Sequence, residues 1–469
     1  MKIRKFYGKL LENITIESAG AEGNCIARWE GKVVFVKNAV PGDVCDLKVI
    51  GKKKKFLLGE IVKLHTSGPE RVEPFCEHFG ACGGCKWQQM EYSGQLAFKT
   101  QQVKDAFDRI GKVDYDEVPL ALGSVHTQLY RNKMEYTYSH SRWLTREQLA
   151  ETAFIEESGL GFHVPKRYDK IVHIDKCYLQ DDYANEIRNW CYAYAKEQDI
   201  SFYDARKQEG MLRNLMLRNT KEGDWMVLQT FRYNQPEVIE PMMEGLRTNF
   251  PKIKSLLYSV NEKVNDSLYD LNIELYSGEP YLTEVLHDLA FKIRPKSFFQ
   301  TNPKQAELLY STALEFADLT GDENVYDLYC GTGTISLFLA KACKQVVGVE
   351  SVPQAIEDAN ENAEVNNIDN CTFVVGDMKD ELNDAFTDKH GKPDVIVTDP
   401  PRAGMHTDVV QQILKLAPEK VVYVSCNPAT QARDLDLMRD GYEVAKIQPV
   451  DMFPHTHHVE NAVLLRRKA

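Results

Sequence analysis

A multidomain α/β protein is the fold class this sequence predicts, and three observations carry it. Short β-rich segments broken by glycine-containing turns fill residues 1–65. Strands and helices mix without fixed alternation over 123–295, which reads as a central α+β domain. From about residue 296 to 469 strand and helix alternate regularly, the pattern of a Rossmann-like parallel sheet covered on both faces. A chain of 469 residues is long enough for several such cores.

Each block has its own punctuation. In the first, 14–16, 25–28, 33–36 and 44–49 are strands, and Pro41-Gly42-Asp43 marks a turn. Five short strands in this length suit an OB-like barrel, a frequent nucleic-acid platform. The run Lys52–Lys55 either tracks phosphates or caps a solvated hairpin. Residues 66–122 hold a Pro-, Gly- and Cys-rich segment and then a helix at 92–110. In 123–295, segments 134–138, 212–217, 225–231 and 255–260 suggest an antiparallel sheet with helices. The last block offers strands at 325–329, 345–349, 372–375, 394–398 and 421–425 with helical stretches between. Its closing pair, 443–450 and 461–466, has no room for a helix and forms a hairpin.

Composition narrows the function classes. Hydrophobic content of 43% and charged content of 27% are ordinary for a globular chain, and no apolar run suits a membrane span. The basic opening Met1-Lys2-Ile3-Arg4-Lys5 lacks an apolar segment behind it, so the chain reads as cytoplasmic rather than exported. A net charge of −12 speaks against a non-specific nucleic-acid coat but leaves room for an RNA enzyme with a local basic face. Eleven cysteines in such a chain point to metal or catalytic duty for some. Cys25, Cys45, Cys191, Cys343 and Cys371 read as small core residues.

The chemistry gathers in four places. A strand followed by Gly331-Thr332-Gly333 and a helix is a nucleotide-cofactor arrangement, since glycines permit the tight turn and close approach. Ser336 stands where a dinucleotide fingerprint needs a third glycine. Glu350, closing the next strand, is placed to accept both hydroxyls of an adenosine ribose, and Asp377 is placed near the adenine. Together these favour S-adenosylmethionine over NAD.

Asp399-Pro400-Pro401-Arg402 ends a parallel strand at the edge where open sheets bind ligands, and its prolines keep the carboxylate aimed. Amino-directed methyltransferases carry an aromatic residue where Arg402 stands. Ser425-Cys426-Asn427-Pro428 ends the following strand, so Asp399 and Cys426 face one pocket. Glu460 follows a histidine-rich loop in which adjacent His457 and His458 make no ready chelating pair. A thiol and a carboxylate beside a methyl donor suit carbon methylation of a pyrimidine. Such chemistry needs a thiolate that adds at C6 to activate C5 and a base that later removes the C5 proton; by themselves Cys426 also reads as a core thiol and Glu460 as a surface carboxylate.

Cys76-x5-Cys82-x2-Cys85 is metal-ligand spacing, with Cys177 as a distant fourth ligand. Spacing alone divides evenly between an iron–sulfur cluster and zinc, and His78 or His173 can replace one thiol.

Taken together, these residues resemble the RNA uracil-5-methyltransferase family along nearly the whole chain. The resemblance implies an N-terminal TRAM domain, a central domain and a class I S-adenosylmethionine-dependent methyltransferase domain. It implies a [4Fe-4S] cluster on Cys76, Cys82, Cys85 and Cys177, with zinc as the alternative. Phe298-Phe299-Gln300-Thr301-Asn302 resembles the family's cofactor-domain entry, which makes Gln300 a cofactor contact along with Tyr329, Glu350 and Asp399. Cys426 matches its nucleophile and Glu460 its base. Tyr130-Arg131-Asn132-Lys133 resembles a family segment that either holds RNA or is an ordinary strand end.

The implied substrate is a flipped-out uridine. The TRAM and four-cysteine layout points to 23S rRNA, with tRNA as the alternative. An RNA cytosine-5-methyltransferase is a further reading, although those enzymes typically pair two catalytic cysteines. A non-catalytic RNA-binding protein is a third. No membrane and no obligate protein partner is implied.

Overall fold

The computed structural model describes residues 6–144 and 157–469; the basic opening Met1–Lys5 lies outside the described residues. The barrel comprises β1 (Leu10–Ala19), β2 (Cys25–Trp29), β3 (Lys32–Lys37), β4 (Val44–Lys52) and β5 (Phe56–Thr66). It closes in the order β1-β2-β3-β5-β4. Period-two alternation turns Val34, Val36, Cys45, Leu47 and Val49 inward, where all are buried. Arg71 fastens the barrel to the segment behind it, its Nη2 lying 2.6 Å from buried Asp43 Oδ2.

The central sheet contains β6 (Lys133–Ser139), β7 (Gly159–His163), β8 (Ile171–His173) and β9 (Leu212–Asn219). β10 (Trp225–Phe231), β11 (Ile253–Val260) and β12 (Glu274–Gly278) complete it. Among the described residues the order is β12-β11-β10-β9-β6-β7-β8. The expected antiparallel sheet needs one correction, because β10 and β11 run parallel. Helix Pro236–Asn249 crosses between them and returns the chain to the starting edge, which a tight hairpin cannot do.

A hairpin of β13 (Leu282–Leu286) and β14 (Leu289–Ile293) precedes the last sheet. Its Leu286, Leu289, Phe291 and Ile293 share a core with Ala306, Leu337 and Val346, so this packed unit draws on residues ahead of 296. The sheet itself is built from β15 (Asn324–Leu328), β16 (Gln345–Glu350), β17 (Cys371–Val375), β18 (Val395–Thr398) and β19 (Lys420–Ser425). β20 (Tyr442–Val450) and β21 (Glu460–Arg467) follow.

The order is β17-β16-β15-β18-β19-β21-β20, parallel through β19 and antiparallel beyond it. Helix α1 (Tyr92–Ala106) continues as a π-helical turn, Phe107–Gly111, that packs on helix Pro428–Met438. Val103 and Phe107 accordingly lie in the core of Ile396, Val421 and Leu435. Among the described residues no helix is long and apolar enough to cross a membrane.

Candidate active site

β15 and β18 are neighbours, with β16 and β17 departing on one side and β19 on the other. The crevice outside their carboxyl ends is the switch point where open α/β sheets take ligands. On one wall the chain leaves β15 through Tyr329, a non-glycine residue at φ +65, whose amide donates to the Val349 carbonyl at 3.0 Å. Gly331 and Gly333 are also left-handed, at φ +54 and +78. A Cβ on Gly331 would meet nothing within 4 Å, whereas one on Gly333 would lie 3.0 Å from Ala359 and Phe373. The first therefore leaves open space beside backbone, and the second permits helix–strand packing.

Glu350 Oε2 accepts from the Gly331 amide at 3.3 Å and its Oε1 from Val352 at 2.9 Å, which holds a half-exposed carboxylate beside the open turn. These residues fit the ribose and amino-acid ends of S-adenosylmethionine. Ser336 has its own task, donating to Asp327 Oδ2 at 2.5 Å within the core. Burial raises the Asp327 carboxyl to about 7. Asp377 caps helix Met378–Glu381 and pairs with Lys379, 3.0 Å away. Gln300 is buried, with its carbonyl accepting from Asn132 Nδ2 at 3.4 Å.

On the other wall the ladder sets the geometry. Ser425 of β19 faces Asn461 of β21, so one step further Cys426 and Glu460 emerge at the same sheet edge. Asp399 leaves β18 beside them, and its charge acts on both groups, as does that of Arg402. Burial pushes the Glu460 carboxyl up to about 8, assisted by Asp399 and opposed by Arg402. Burial likewise raises Asp399 to about 7. The Cys426 thiol is pushed up to about 11, first by burial, then by Glu460 and Asp399, with Arg402 acting the other way.

Residues 451–459 lead into Glu460 and are held by contacts the sequence did not disclose. Buried Lys99 of α1 lies 2.5 Å from Asp451 Oδ1, and Tyr92 donates to Asp451 Oδ2 at 2.8 Å. Asn302 donates to the Met452 carbonyl at 2.9 Å and Gln305 to that of Asp451 at 2.8 Å. Tyr130 donates to the Pro454 carbonyl at 3.0 Å, and the Asn132 amide reaches the Thr301 carbonyl at 2.8 Å. Buried Tyr130 and Asn132 thus tie the central sheet to the crevice rather than present themselves to solvent. No short-range motif marks Lys99 or Gln305; the buried face of α1 that carries Lys99 also holds Gln95 and Thr100.

Cys76, Cys82, Cys85 and Cys177 come within electrostatic reach of one another between the barrel and the central sheet. Four cysteine thiols are a donor set that suits zinc and an iron–sulfur cluster alike. His78 and His173 are engaged elsewhere, with His78 Nε2 accepting from the Asp175 amide at 3.2 Å and His173 Nδ1 bonded to Leu160 backbone.

Comparison with known proteins agrees with this architecture. Residues 278–468 match the family described as tRNA (Uracil-5-)-methyltransferase, and residues 11–62 match the TRAM domain. An uncharacterized RNA methyltransferase of Bacteroides thetaiotaomicron is 51% identical over 95% of this chain and 99% of its own. One from Porphyromonas gingivalis is 50% identical over 96% and 99%. Among solved structures, the Pyrococcus abyssi tRNA (uracil-54, C5)-methyltransferase in complex with S-adenosyl-L-homocysteine superposes with a TM-score of 0.74. It shares 29% identity and covers 96% of this chain and 99% of that one.

Proposed function

The chain belongs to the S-adenosylmethionine-dependent RNA uracil-5-methyltransferase family with an N-terminal TRAM domain, and from that premise we propose a covalent mechanism on Cys426. The observation that carries the proposal is the convergence of Cys426 and Glu460 at one sheet edge, beside Asp399 and Arg402 and across the crevice from Glu350.

Cys426 enters as the thiolate, its proton lost to solvent, and its sulfur adds to C6 of a flipped-out uridine. The C5=C6 electron pair makes C5 an enolate carbon, which takes the methyl group and leaves S-adenosylhomocysteine. Glu460, whose raised carboxyl titrates at about 8, then accepts the C5 proton in the fraction that is ionised. The C5–H pair restores the double bond as the C6–S bond breaks and the thiolate departs. Gln300, Tyr329, Glu350 and Asp399 are the proposed cofactor contacts. Residues 1–65 are assigned to RNA contact, 66–122 and 123–295 to the cysteine centre and central domain, and 296–469 to methyl transfer. Cys76, Cys82, Cys85 and Cys177 are assigned to a [4Fe-4S] cluster on the four-cysteine layout of the family, with zinc as the alternative. Bound there, it supplies a thiolate cross-link rather than a redox step.

The substrate we propose is a uridine of 23S rRNA, on the TRAM and four-cysteine layout. A tRNA target is the second reading, favoured by the likeness to the archaeal tRNA enzyme. Mass-spectrometric nucleoside mapping of RNA from cells with and without the gene decides between them. Loss of 5-methyluridine from 23S rRNA supports the first and loss from tRNA the second. Unchanged 5-methyluridine, with redundant enzymes removed, overturns both.

A further inference from the structure

The loop that delivers Glu460 is fastened to the cysteine segment. The amides of Lys86 and Trp87, directly after Cys85, both donate to the His455 carbonyl, at 2.8 and 3.0 Å. His455 stands at φ +64, a left-handed conformation that a non-glycine residue keeps only where its surroundings impose it. Its ring meets Phe75, the neighbour of Cys76, edge-on with centroids 5.0 Å apart. Phe75 meets Tyr178, the neighbour of Cys177, in the same way at 5.3 Å.

Buried Gln95 closes the arrangement. Its Oε1 accepts the His455 amide at 2.8 Å, while its Nε2 donates to the Trp87 and Met90 carbonyls at 3.0 and 2.9 Å. Neighbours of Cys76 and Cys85 thus touch His455 directly, and a neighbour of Cys177 does so through Phe75. Glu460 opens β21 opposite Val450 of β20, so the ladder holds its strand side and the His455 loop its other side; Cys426 and the cofactor turn follow directly on β19 and β15.

Resting on the uracil-5 reading above, we propose that His455 is a positioning residue that relays the geometry of the four-cysteine centre to Glu460. Removal of the C5 proton then depends on the centre, whereas thiol addition and methyl transfer do not. Loss of the centre frees Lys86 and Trp87, relaxes the left-handed turn and displaces the carboxylate five residues on.

The test compares full-length protein carrying its cluster with the same protein stripped of iron anaerobically, the loss followed by cluster absorbance. Both act on unmodified 23S rRNA and tRNA transcripts. Stripping is expected to lower 5-methyluridine release about 10- to 100-fold, the scale of a small misplacement of a reacting group. The methylated covalent protein–RNA adduct should accumulate on denaturing gels, and amide exchange across residues 451–459 should quicken. Parallel loss of adduct and product, or unchanged exchange in that loop, overturns the proposal.

If stripping unfolds the chain, loaded variants serve instead. His455→Val, whose branched side chain resists positive φ, should accumulate adduct. His455→Asn, which tolerates the left-handed turn, should recover most turnover. Equal effects of the two overturn the proposal. Failure of the loaded wild type to form an adduct with 5-fluorouridine RNA removes the uracil-5 reading itself, and this inference with it.

Discussion

Arg402 Nη2 lies 2.6 Å from His458 Nδ1 and joins the loop after β18 to the loop that enters β21. Burial, with His457 and Arg402 beside it, lowers His458 to about 3, so a neutral imidazole accepts this bond. The guanidinium is thereby held where it favours the ionised forms of both Cys426 and Glu460. In Arg402→Gln the Cys426 thiol should titrate above its present value of about 11. Iodoacetamide labelling of Cys426, followed by peptide mass mapping from pH 7 to 10, should slow at every pH. Unchanged or faster labelling contradicts the assignment.

Cys426→Ala and Glu460→Gln should fail at different steps. The first forms no covalent complex with 5-fluorouridine RNA. The second forms a complex with natural RNA but releases 5-methyluridine roughly 10²- to 10⁴-fold more slowly, the usual worth of a general base. An adduct in Cys426→Ala would displace the nucleophile. Rapid release by Glu460→Gln would displace the base.

Glu460 also makes stability pH-dependent. Its carboxyl titrates near 4.5 when unfolded and at about 8 when folded, so folding favours the protonated form. Below 4.5 both states are protonated and Glu460→Gln changes little. Between 4.5 and 8 the unfolded wild type ionises while the folded one does not, so wild-type stability falls as pH rises and levels off above 8. Melting curves of the two proteins should therefore diverge across that window, with Glu460→Gln the more stable at pH 8. A constant difference in Tm would refute the shift.

The Lys99–Asp451 pair is fully buried on both sides. Lys99→Met leaves a buried carboxylate without its cation and should cost about 3–5 kcal/mol in urea denaturation. Lys99→Met with Asp451→Asn removes both charges and should lose less than the single substitution. If the double variant is the weaker of the two, the two charges do not stabilise the fold as a coupled pair.

Much of the fold was legible because it rests on local signals. The barrel strands follow from alternation over a few residues. The last sheet follows from strands separated by helical lengths, and the glycine turn from two left-handed positions. The β10–β11 pair was misread because strand direction depends on where helix Pro236–Asn249 carries the chain, which neither strand encodes. Residues 282–293 read as part of the central domain because their core partners, Ala306 and Leu337, lie beyond the next loop.

The sequence by itself determined which groups are proposed to bear chemistry, since a thiol, a carboxylate, a glycine turn and spaced cysteines are written in short motifs. Tertiary structure alone decided how those groups bear on each other. Lys99 and Asp451 stand 352 residues apart, Gln95 and His455 360, and Tyr130 and Pro454 324, yet each pair fastens the loop before Glu460. The raised carboxyl of Glu460 has the same origin. Its pKa depends on how completely β21 and its neighbours exclude water, and that burial exists only once the chain has closed around it.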